Sequence, residues 1–162
     1  MIFRLTQKLT RKVKLSPLRA MPDGQNPFID WTAHLFTAQR AQYIIVVNTA
    51  SLYSLLIYGR GITDDNDLIQ ATLAFMREFM AYDGCEFLYR RLIAPNTTTV
   101  SFAKASNRHV IGSINEFVFE AKFYLIERRL SPFETSRQIN ETPMSYLDYN
   151  TPRQAFRDLK AT

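Results

Sequence analysis

The feature that most restricts the fold is an unbroken apolar run early in the chain. Residues 43–47 read Y-I-I-V-V, with a polar residue on either side. Successive side chains of a β-strand point to opposite faces of a sheet, so five consecutive apolar residues cannot all be hidden on one side. The segment Tyr43–Asn48 therefore predicts an interior strand whose two faces are both covered by other layers of the protein.

Three further strands are predicted around this one. The segment Trp31–Ala38 reads W-T-A-H-L-F-T-A and precedes the apolar run across a short polar turn at Gln39–Gln42, which is typical of a β-hairpin. Strands are also expected at Met1–Leu5 and at Thr97–Lys104, the latter rich in β-branched residues.

Helices are predicted from capping residues and from apolar side chains at helical spacing. Thr63 or Asp64 is expected to cap a long helix that Gly84 ends. Ser131 and Thr151 each begin a hydroxyl–proline pattern with Glu or Gln two residues after the proline, a strong signature of a helix N-terminus. The predicted helices span residues 6–13, 52–59, 64–84, 86–93 and 108–128, followed by two short terminal helices.

These elements predict a single α+β domain. About four mainly antiparallel strands, covered by helices, are expected to form a core at residues 1–130. Residues 131–162 are expected to be a C-terminal helical extension of the same domain.

Residue usage excludes several classes of protein. Cys85 is the only cysteine of the 162 residues, so no intrachain disulfide can form, and a reducing cytoplasm is the expected location. No apolar stretch approaches the ~20 residues that span a bilayer, and no membrane association is expected.

Phosphate-binding glycine loops, nucleophile elbows and structural zinc patterns are absent from the sequence, so no cofactor is predicted. The acids Asp64, Asp65 and Asp67 are better explained by a helix start than by a metal site.

Positive charge is concentrated at the N-terminus of a chain whose formal net charge is +5. No acid occurs before Asp23, and the basic residues of a predicted short helix are candidates for nucleic-acid binding: Lys8, Arg11, Lys12 and Lys14. Three interpretations remain open for this segment: a nucleic-acid-binding arm, a mitochondrial presequence, and a strand followed by a helix with a solvated basic face.

A second candidate site is the start of the long helix that is predicted at residues 108–128. Asn107, Arg108 and His109 form its first turn, where free N–H groups attract anions. Gly112 and Asn115 follow Arg108 on one stripe of the helix, and a helical glycine costs about 1 kcal/mol relative to alanine. We expect these residues to line an anion-binding pocket, Gly112 allowing close approach of a ligand or of another backbone. The alternative is a capped helix with a surface arginine and a glycine that eases packing.

His34 is the other histidine of the chain. It shares a strand face with Thr32 and Phe36, opposite Trp31 and Leu35. A structural histidine at a sheet margin is one interpretation. A polar pocket shared with His109 is the other, and His34 is therefore kept as a candidate ligand-binding residue.

Three sequence motifs, in matching order over most of residues 1–125, resemble a family of small bacterial proteins classed as a domain of unknown function. The family patterns are R-x-T-x-K-L, W-H-A-N-L-F and N-R-S-V-L-G-S-M-N-D. Their counterparts are residues 4–9 (R-L-T-Q-K-L), 31–36 (W-T-A-H-L-F) and 107–116 (N-R-H-V-I-G-S-I-N-E). The chain departs from the patterns at Thr32, His34 and His109. The resemblance implies a fold and a site location, and it implies no activity.

Three classes of function are compatible with the sequence. The first is a non-enzymatic binding or accessory module that recognises an anionic ligand or nucleic acid through the basic N-terminal helix and the helix start at 107–109. The second is a small enzyme in which His34 or His109 acts as acid or base and Arg108 holds a phosphate or carboxylate. The third is a protein-interaction module, suggested by an aromatic content of 13%, and a homo-oligomer is compatible with each class.

Overall fold

A five-stranded sheet forms the centre of the protein in a computed structural model that describes residues 1–161. The strand order is β4-β3-β2-β1-β5. The strands are β1 (Ile2–Leu5), β2 (Asp30–Ala38), β3 (Ala41–Asn48), β4 (Ser54–Tyr58) and β5 (Ser101–Lys104). The predicted α+β class is confirmed, with five strands where about four were expected.

The sheet combines two kinds of pairing. The pairs β2–β3 and β3–β4 are antiparallel and are the longer ones, whereas the short strand β1 is parallel to both of its neighbours, β2 and β5. The sheet is therefore mostly antiparallel but has a parallel part at the β5 edge. Parallel pairs require a crossover connection, and here the connecting segments carry helices or long loops.

Strand β3 is an interior strand, as its apolar run predicts. Ile44 and Val46 belong to one hydrophobic cluster, and Ile45 and Val47 belong to another on the opposite face. All four side chains are fully buried. The alternation shows why the sheet is covered on both sides: each face of β3 contributes to a separate core.

The segment 52–59 was predicted to be a helix, and that prediction is wrong. Leu52 has a positive φ of 64° in a tight turn, and β4 follows it at Ser54–Tyr58. Leu55 and Ile57 contact one core while Leu56 contacts the other. The helical spacing of Leu52, Leu55 and Leu56 is thus coincidental, because pairing with β3 and burial on both faces decide the conformation.

Helices cover both faces of the sheet. They are α1 (Gln7–Lys12), α2 (Asp65–Tyr82), α3 (Glu86–Leu88), α4 (Arg108–Lys122), α5 (Pro132–Asn140) and α6 (Pro152–Arg157). A π-helical turn at Tyr89–Ile93 follows α3, and another at Phe123–Glu127 follows α4. Apolar residues of α1, α2 and α6 join the core that contains Ile44, whereas those of α4 join the core that contains Ile45. Among residues 1–161, no helix combines the length and apolar character needed to cross a membrane.

The predicted helix caps are confirmed by their hydrogen bonds. Asp64 accepts from the amide of Asp67, Ser131 from that of Glu134, and Thr151 from that of Gln154. Gly84, at a φ of 76°, lies just after the end of α2. Thr6 stands at the N-cap position of α1, but its hydroxyl does not cap the helix.

Helix α5 covers the outer edge of β4. The Asn140 side chain accepts from the Ser54 amide (2.7 Å) and donates to the Ser54 carbonyl (2.8 Å). Ser136 Oγ accepts from the amide of Leu56 (2.9 Å). Three backbone groups on the outer side of an edge strand are thereby satisfied by side chains of the C-terminal segment.

The loop between α1 and β2 wraps around the opposite edge of the sheet. The amide of Lys104, the last residue of β5, donates to the carbonyl of Arg19 at 2.8 Å. Farther along, the carbonyls of Met21 and Pro22 accept from Arg4, which projects from β1. We call residues 14–26 the strap, because they connect α1 on one face with side chains on the other.

Candidate functional site

The start of α4 is capped by its own chain. The Asn107 side chain accepts from the amides of His109 (3.0 Å) and Val110 (3.2 Å). This arrangement confirms Asn107 as the cap. It also occupies two of the N–H groups that an anion at this helix end would use.

Arg108, His109 and Gly112 line an open groove of about 500 Å³ beside the turn that contains Tyr146. The His109 ring stacks on that of Tyr146, with centroids 5.7 Å apart and planes 8° apart. Glu116 lies in the same groove. Asn115 is exposed on α4 but is not among the groove residues, and Asn107 faces a neighbouring cleft with Asp23 and Asp30. The predicted residues are thus only partly brought together, and carboxylates stand beside them.

Gly112 is exposed on α4, and no close packing explains it. A β-carbon built at this position meets no atom within 4 Å. The expectation that another part of the chain approaches the glycine is therefore wrong. What remains of the hypothesis is an approach by a ligand or partner from outside.

His34 lies half-buried on the sheet face that α4 covers. Its Nδ1 is hydrogen-bonded to the Thr6 hydroxyl at 2.9 Å, which explains why Thr6 does not cap α1. Burial, together with the positive charge of Lys8, lowers the pKa of His34. His34 and His109 thus have separate partners, and the groove that His109 lines does not contain His34.

Arg4, the first cation of the basic N-terminus, is buried in a structural ion pair. Its Nε and Nη2 atoms donate to the two carboxylate oxygens of Asp30, each at 2.8 Å. Asp30 also accepts from the Gly24 amide and the Thr49 hydroxyl, both at 2.9 Å. Burial opposes the ionisation of Asp30, but these hydrogen bonds outweigh it and lower the pKa of the carboxyl. Four of the five N–H donors of Arg4 are therefore used inside the protein, and burial keeps the guanidinium away from an external ligand.

The cations of α1 are placed differently. Ile2–Lys12 form the strand and helix that one interpretation of the basic segment predicts. Lys8, Arg11 and Lys14 are exposed, and Lys12 donates to the side chain of Gln42 at 2.7 Å. The ion pairs of the described residues use Arg4, Arg90, Arg137 and Arg153, so α1 has none.

Further unpaired cations lie around α1 at the same end of the sheet. Arg11 shares a crevice with Lys104, the last residue of β5. Gln42, which Lys12 contacts, shares a second cleft with Arg40 and Arg60. An arc of cations therefore extends from β5 across α1 to the β2–β3 turn and the end of β4.

Sequence reasoning missed Lys104, Arg40 and Arg60 as members of this arc. Each is an isolated cation at the end of a strand or in a turn, with no local pattern around it. Their positions do carry a signal, because strand ends and turns at the same end of a sheet lie close together in space. Its use requires the strand order, which depends on contacts between distant parts of the chain.

The α1 arc and the start of α4 lie toward opposite ends of β2. Asn107 shares its cleft with Asp30 and Thr49, beside the first residue of β2. Lys12 instead contacts Gln42, which pairs with Thr37 near the last residue of β2. The two stretches that were expected to bind one anion therefore present separate surfaces.

Comparison with known proteins identifies the family. The domain of unknown function DUF6933 matches residues 2–155. The chain belongs to this family. No significant match was found to a curated protein or to a solved structure.

The DUF6933 match spans the sheet, its helices and both candidate surfaces. It extends through Thr151 and most of α6, so the C-terminal segment that seals β4 lies largely within the family domain. Membership confirms the resemblance to an uncharacterised family. It assigns no ligand, so function has to be inferred from the surfaces themselves.

Proposed function

We propose that this DUF6933 protein is a non-enzymatic binding module that recognises an anionic polymer, single-stranded nucleic acid being the leading class. The observation that carries the proposal is the arc of unpaired cations around α1. Lys8 and Arg11 on α1, Arg40 in the β2–β3 turn and Arg60 after β4 are exposed and make no ion pair with any residue of 1–161. When such cations contact the phosphate groups of a nucleic acid, they displace the counterions bound to those groups. This counterion release is the main source of affinity in non-specific binding.

Acidic residues distinguish this arc from the start of α4. The α4 groove contains Glu116, and the adjoining cleft contains Asp23 and Asp30. The two clefts of the arc contain no carboxylate. Asp67 at the start of α2 interacts with Lys14, and the pKa of Asp67 is lowered by hydrogen bonds from Thr63, with a smaller contribution from Lys14. An approaching polyanion therefore meets less repulsion at the arc than at Arg108.

An exposed aromatic ring favours single strands over duplexes. Tyr58 is 58% exposed and lies in the cleft of Arg40 and Arg60, with its ring 5.6 Å from that of Tyr43. Unpaired bases stack on such rings while cations contact the phosphates, and each stacked base contributes about 1–3 kcal/mol. A cytoplasmic location is part of the proposal, since the buried free thiol of Cys85 suits a reducing compartment.

The test is fluorescence anisotropy with labelled DNA and RNA single strands of about 20 nucleotides, long enough for one compact binding site. Binding is expected to weaken steeply between about 50 and 200 mM salt, because phosphate contacts dominate. Replacing Lys8 and Arg40 by glutamine should lower the affinity and reduce the slope of log K against log salt by about 0.7 for each lost contact. Tyr58→Ala should lower the affinity and leave that slope unchanged.

The matched control removes two exposed cations elsewhere. Arg77→Gln with Lys122→Gln deletes the same charge from α2 and α4, where neither residue has an ion-pair partner. The control should bind like the unaltered protein. Equal losses in the control and in the Lys8/Arg40 variant, or no binding at low salt, would overturn the proposal.

A further inference from the structure

The connections after β1 and β5 leave the sheet in opposite directions. These strands are adjacent and parallel. After β1 the chain enters α1, and Leu9 of this helix and Val13 just after it pack in the Ile44 core. After β5 the chain enters α4, whose Val110 and Ile114 pack in the Ile45 core. Such a topological switch opens a crevice outside the carboxyl ends of the two strands, where open sheets with parallel strands bind their ligands.

A crevice lies at this position and is closed on one side by the strap. It has a volume of about 330 Å³, toward the lower end of the roughly 300–1,000 Å³ typical of small-molecule sites. Leu5, the last residue of β1, and Lys104, the last residue of β5, both line it. Arg11 on α1 and Leu15 and Leu18 of the strap also line it.

The chemistry of the walls has two parts. Leu5, Leu15 and Leu18 give an apolar surface that continues into the Ile44 core. Arg11 and Lys104 are exposed, unpaired and accompanied by no lining carboxylate. Gln7 supplies an exposed amide, while the Thr10 hydroxyl is already used by the carbonyl of Thr6 at 2.9 Å.

Three other clefts each lack one of these properties. In the cleft beside Tyr82, the cations Arg137 and Arg153 are accompanied by the carboxylates of Asp83 and Glu141. In the α4 groove, Arg108 is accompanied by Glu116. The cleft of Arg40 and Arg60 is cationic but has no aliphatic wall larger than Ala41. An unpaired cation beside an aliphatic surface favours an anion that carries an apolar chain. The anionic group of such a ligand binds the cation, and its chain packs against the aliphatic side chains.

We propose that this crevice binds a small amphipathic anion: a carboxylate or phosphate on a medium-length aliphatic chain. The anionic group contacts Arg11 and Lys104, and the chain lies against Leu5, Leu15 and Leu18. The inference goes beyond the proposed function, because the occupant is a small molecule and its binding depends on leucines that a polyanion does not need.

The experiment follows ¹H–¹⁵N NMR spectra and calorimetry of the full chain during titration with octanoate and with octyl phosphate. Saturable one-to-one binding is expected, with the amides of Leu18, Lys104 and Ala105 shifting most. The two probes separate the sources of the anionic group, and the tighter one identifies the preferred head. Acetate, which lacks the chain, and 1-hexanol, which lacks the charge, should each bind at least tenfold more weakly.

Two variants test the two halves of the crevice. Lys104→Gln alters an exposed residue, so it should leave folding intact and weaken octanoate binding roughly tenfold through the loss of one charge-assisted contact. Leu18→Ser should weaken it by a similar factor through the loss of apolar contact, and a thermal melt verifies that the variant is folded. Lys8→Gln, outside the crevice, is the matched control and should bind octanoate normally.

The outcomes distinguish this inference from the proposed function. Leu18→Ser should bind the single-stranded oligonucleotide normally, whereas Lys8→Gln should bind it less well. Absence of saturable binding of both probes, or equal binding by the unaltered protein and Lys104→Gln, overturns the small-molecule site whatever the oligonucleotide does. Loss of oligonucleotide binding alone overturns only the polymer proposal.

Discussion

Arg4 and Arg11 belong to the same acid-free stretch of sequence, yet the fold uses them in opposite ways. Arg4 is 3% exposed, and its donors are divided between the Asp30 carboxylate and the carbonyls of Met21 and Pro22. Arg11 is exposed and has no carboxylate partner among residues 1–161. A count of positive charges therefore does not measure how many are available to bind.

The difference follows from the elements on which the two residues lie. Along β1, Phe3 and Leu5 point into the Ile44 core, and Arg4 points to the other face of the sheet. Leu9 of α1 and Val13, the residue that follows the helix, occupy the buried side, which leaves Arg11 on the solvent side. Burial converts one cation into part of the scaffold, and exposure leaves the other free for a ligand.

The largest expected effect on stability comes from replacing Arg4, the buried arginine of the two. Arg4→Met leaves the Asp30 carboxylate buried without its main partner, so the free energy of unfolding should fall by about 3–5 kcal/mol. Arg11→Gln should change it by no more than about 0.5 kcal/mol. Urea denaturation followed by circular dichroism measures both. Similar midpoints for the two variants would contradict the contrast.

A second prediction extends the comparison to neutral buried groups. Asn140→Ala leaves the Ser54 amide and carbonyl unpaired beneath α5, at an expected loss of about 1–3 kcal/mol in the free energy of unfolding. Gln138→Ala, on the exposed side of the same helix, is the control and should remain within about 0.5 kcal/mol of the unaltered protein. If both variants unfolded at the same urea concentration, α5 would not be sealing β4 through this side chain.

A third prediction concerns Gly112, an exposed position at which no other part of the chain makes close contact. With open space around the position of its missing β-carbon, Gly112→Ala should raise the free energy of unfolding by about 1 kcal/mol. Asn115→Ala, at another exposed site of α4, should give a smaller gain. A destabilised Gly112→Ala protein would mean that a part of the chain or a second copy contacts this face.

The smallest expected effect concerns His34, which is intermediate between the two arginines in burial. Its pKa is lowered from the ordinary value of 6.5 by burial and by Lys8, so the unfolded chain binds a proton more readily than the folded protein. The resulting stability is present above pH 6.5 and is lost as the pH falls from there toward the lowered pKa of the folded state.

Replacing the histidine should remove that part of the pH dependence. Urea denaturation of His34→Gln between about pH 8 and pH 5 should show a smaller loss of stability than the unaltered protein. Gln42→Ala changes an exposed residue near α1 that does not titrate, and it should retain the original dependence. An unchanged slope in His34→Gln would show that burial of His34 does not disfavour its charged form.

Local signals in the sequence predicted local structure. The run at β3 and the caps Asp64, Ser131 and Thr151 were predicted correctly, because each depends on neighbouring residues and on burial that the pattern itself reveals. Strand β4 was missed because its apolar spacing fits a helix as well as a strand. Only pairing with β3 separates the two possibilities.

The binding surfaces could be predicted less well than the fold. Arg11 and Lys104 are far apart in sequence and meet only because β1 lies between β2 and β5. The N–H groups at the start of α4 were a reasonable anion site by residue type, but the conformation of Asn107 determines that its own side chain occupies two of them. Such features depend on tertiary pairing and rotamers, which no local pattern encodes.

The partial cover of both sheet edges restricts how this protein can pair with another one. Asn140 and Ser136 cover backbone groups of β4, and the strap covers the amide of Lys104 on β5. A peptide that docks by extending a sheet needs a free row of such groups. Extension of the sheet by a partner strand, and with it strand-to-strand polymerisation of native molecules, is therefore disfavoured at both edges.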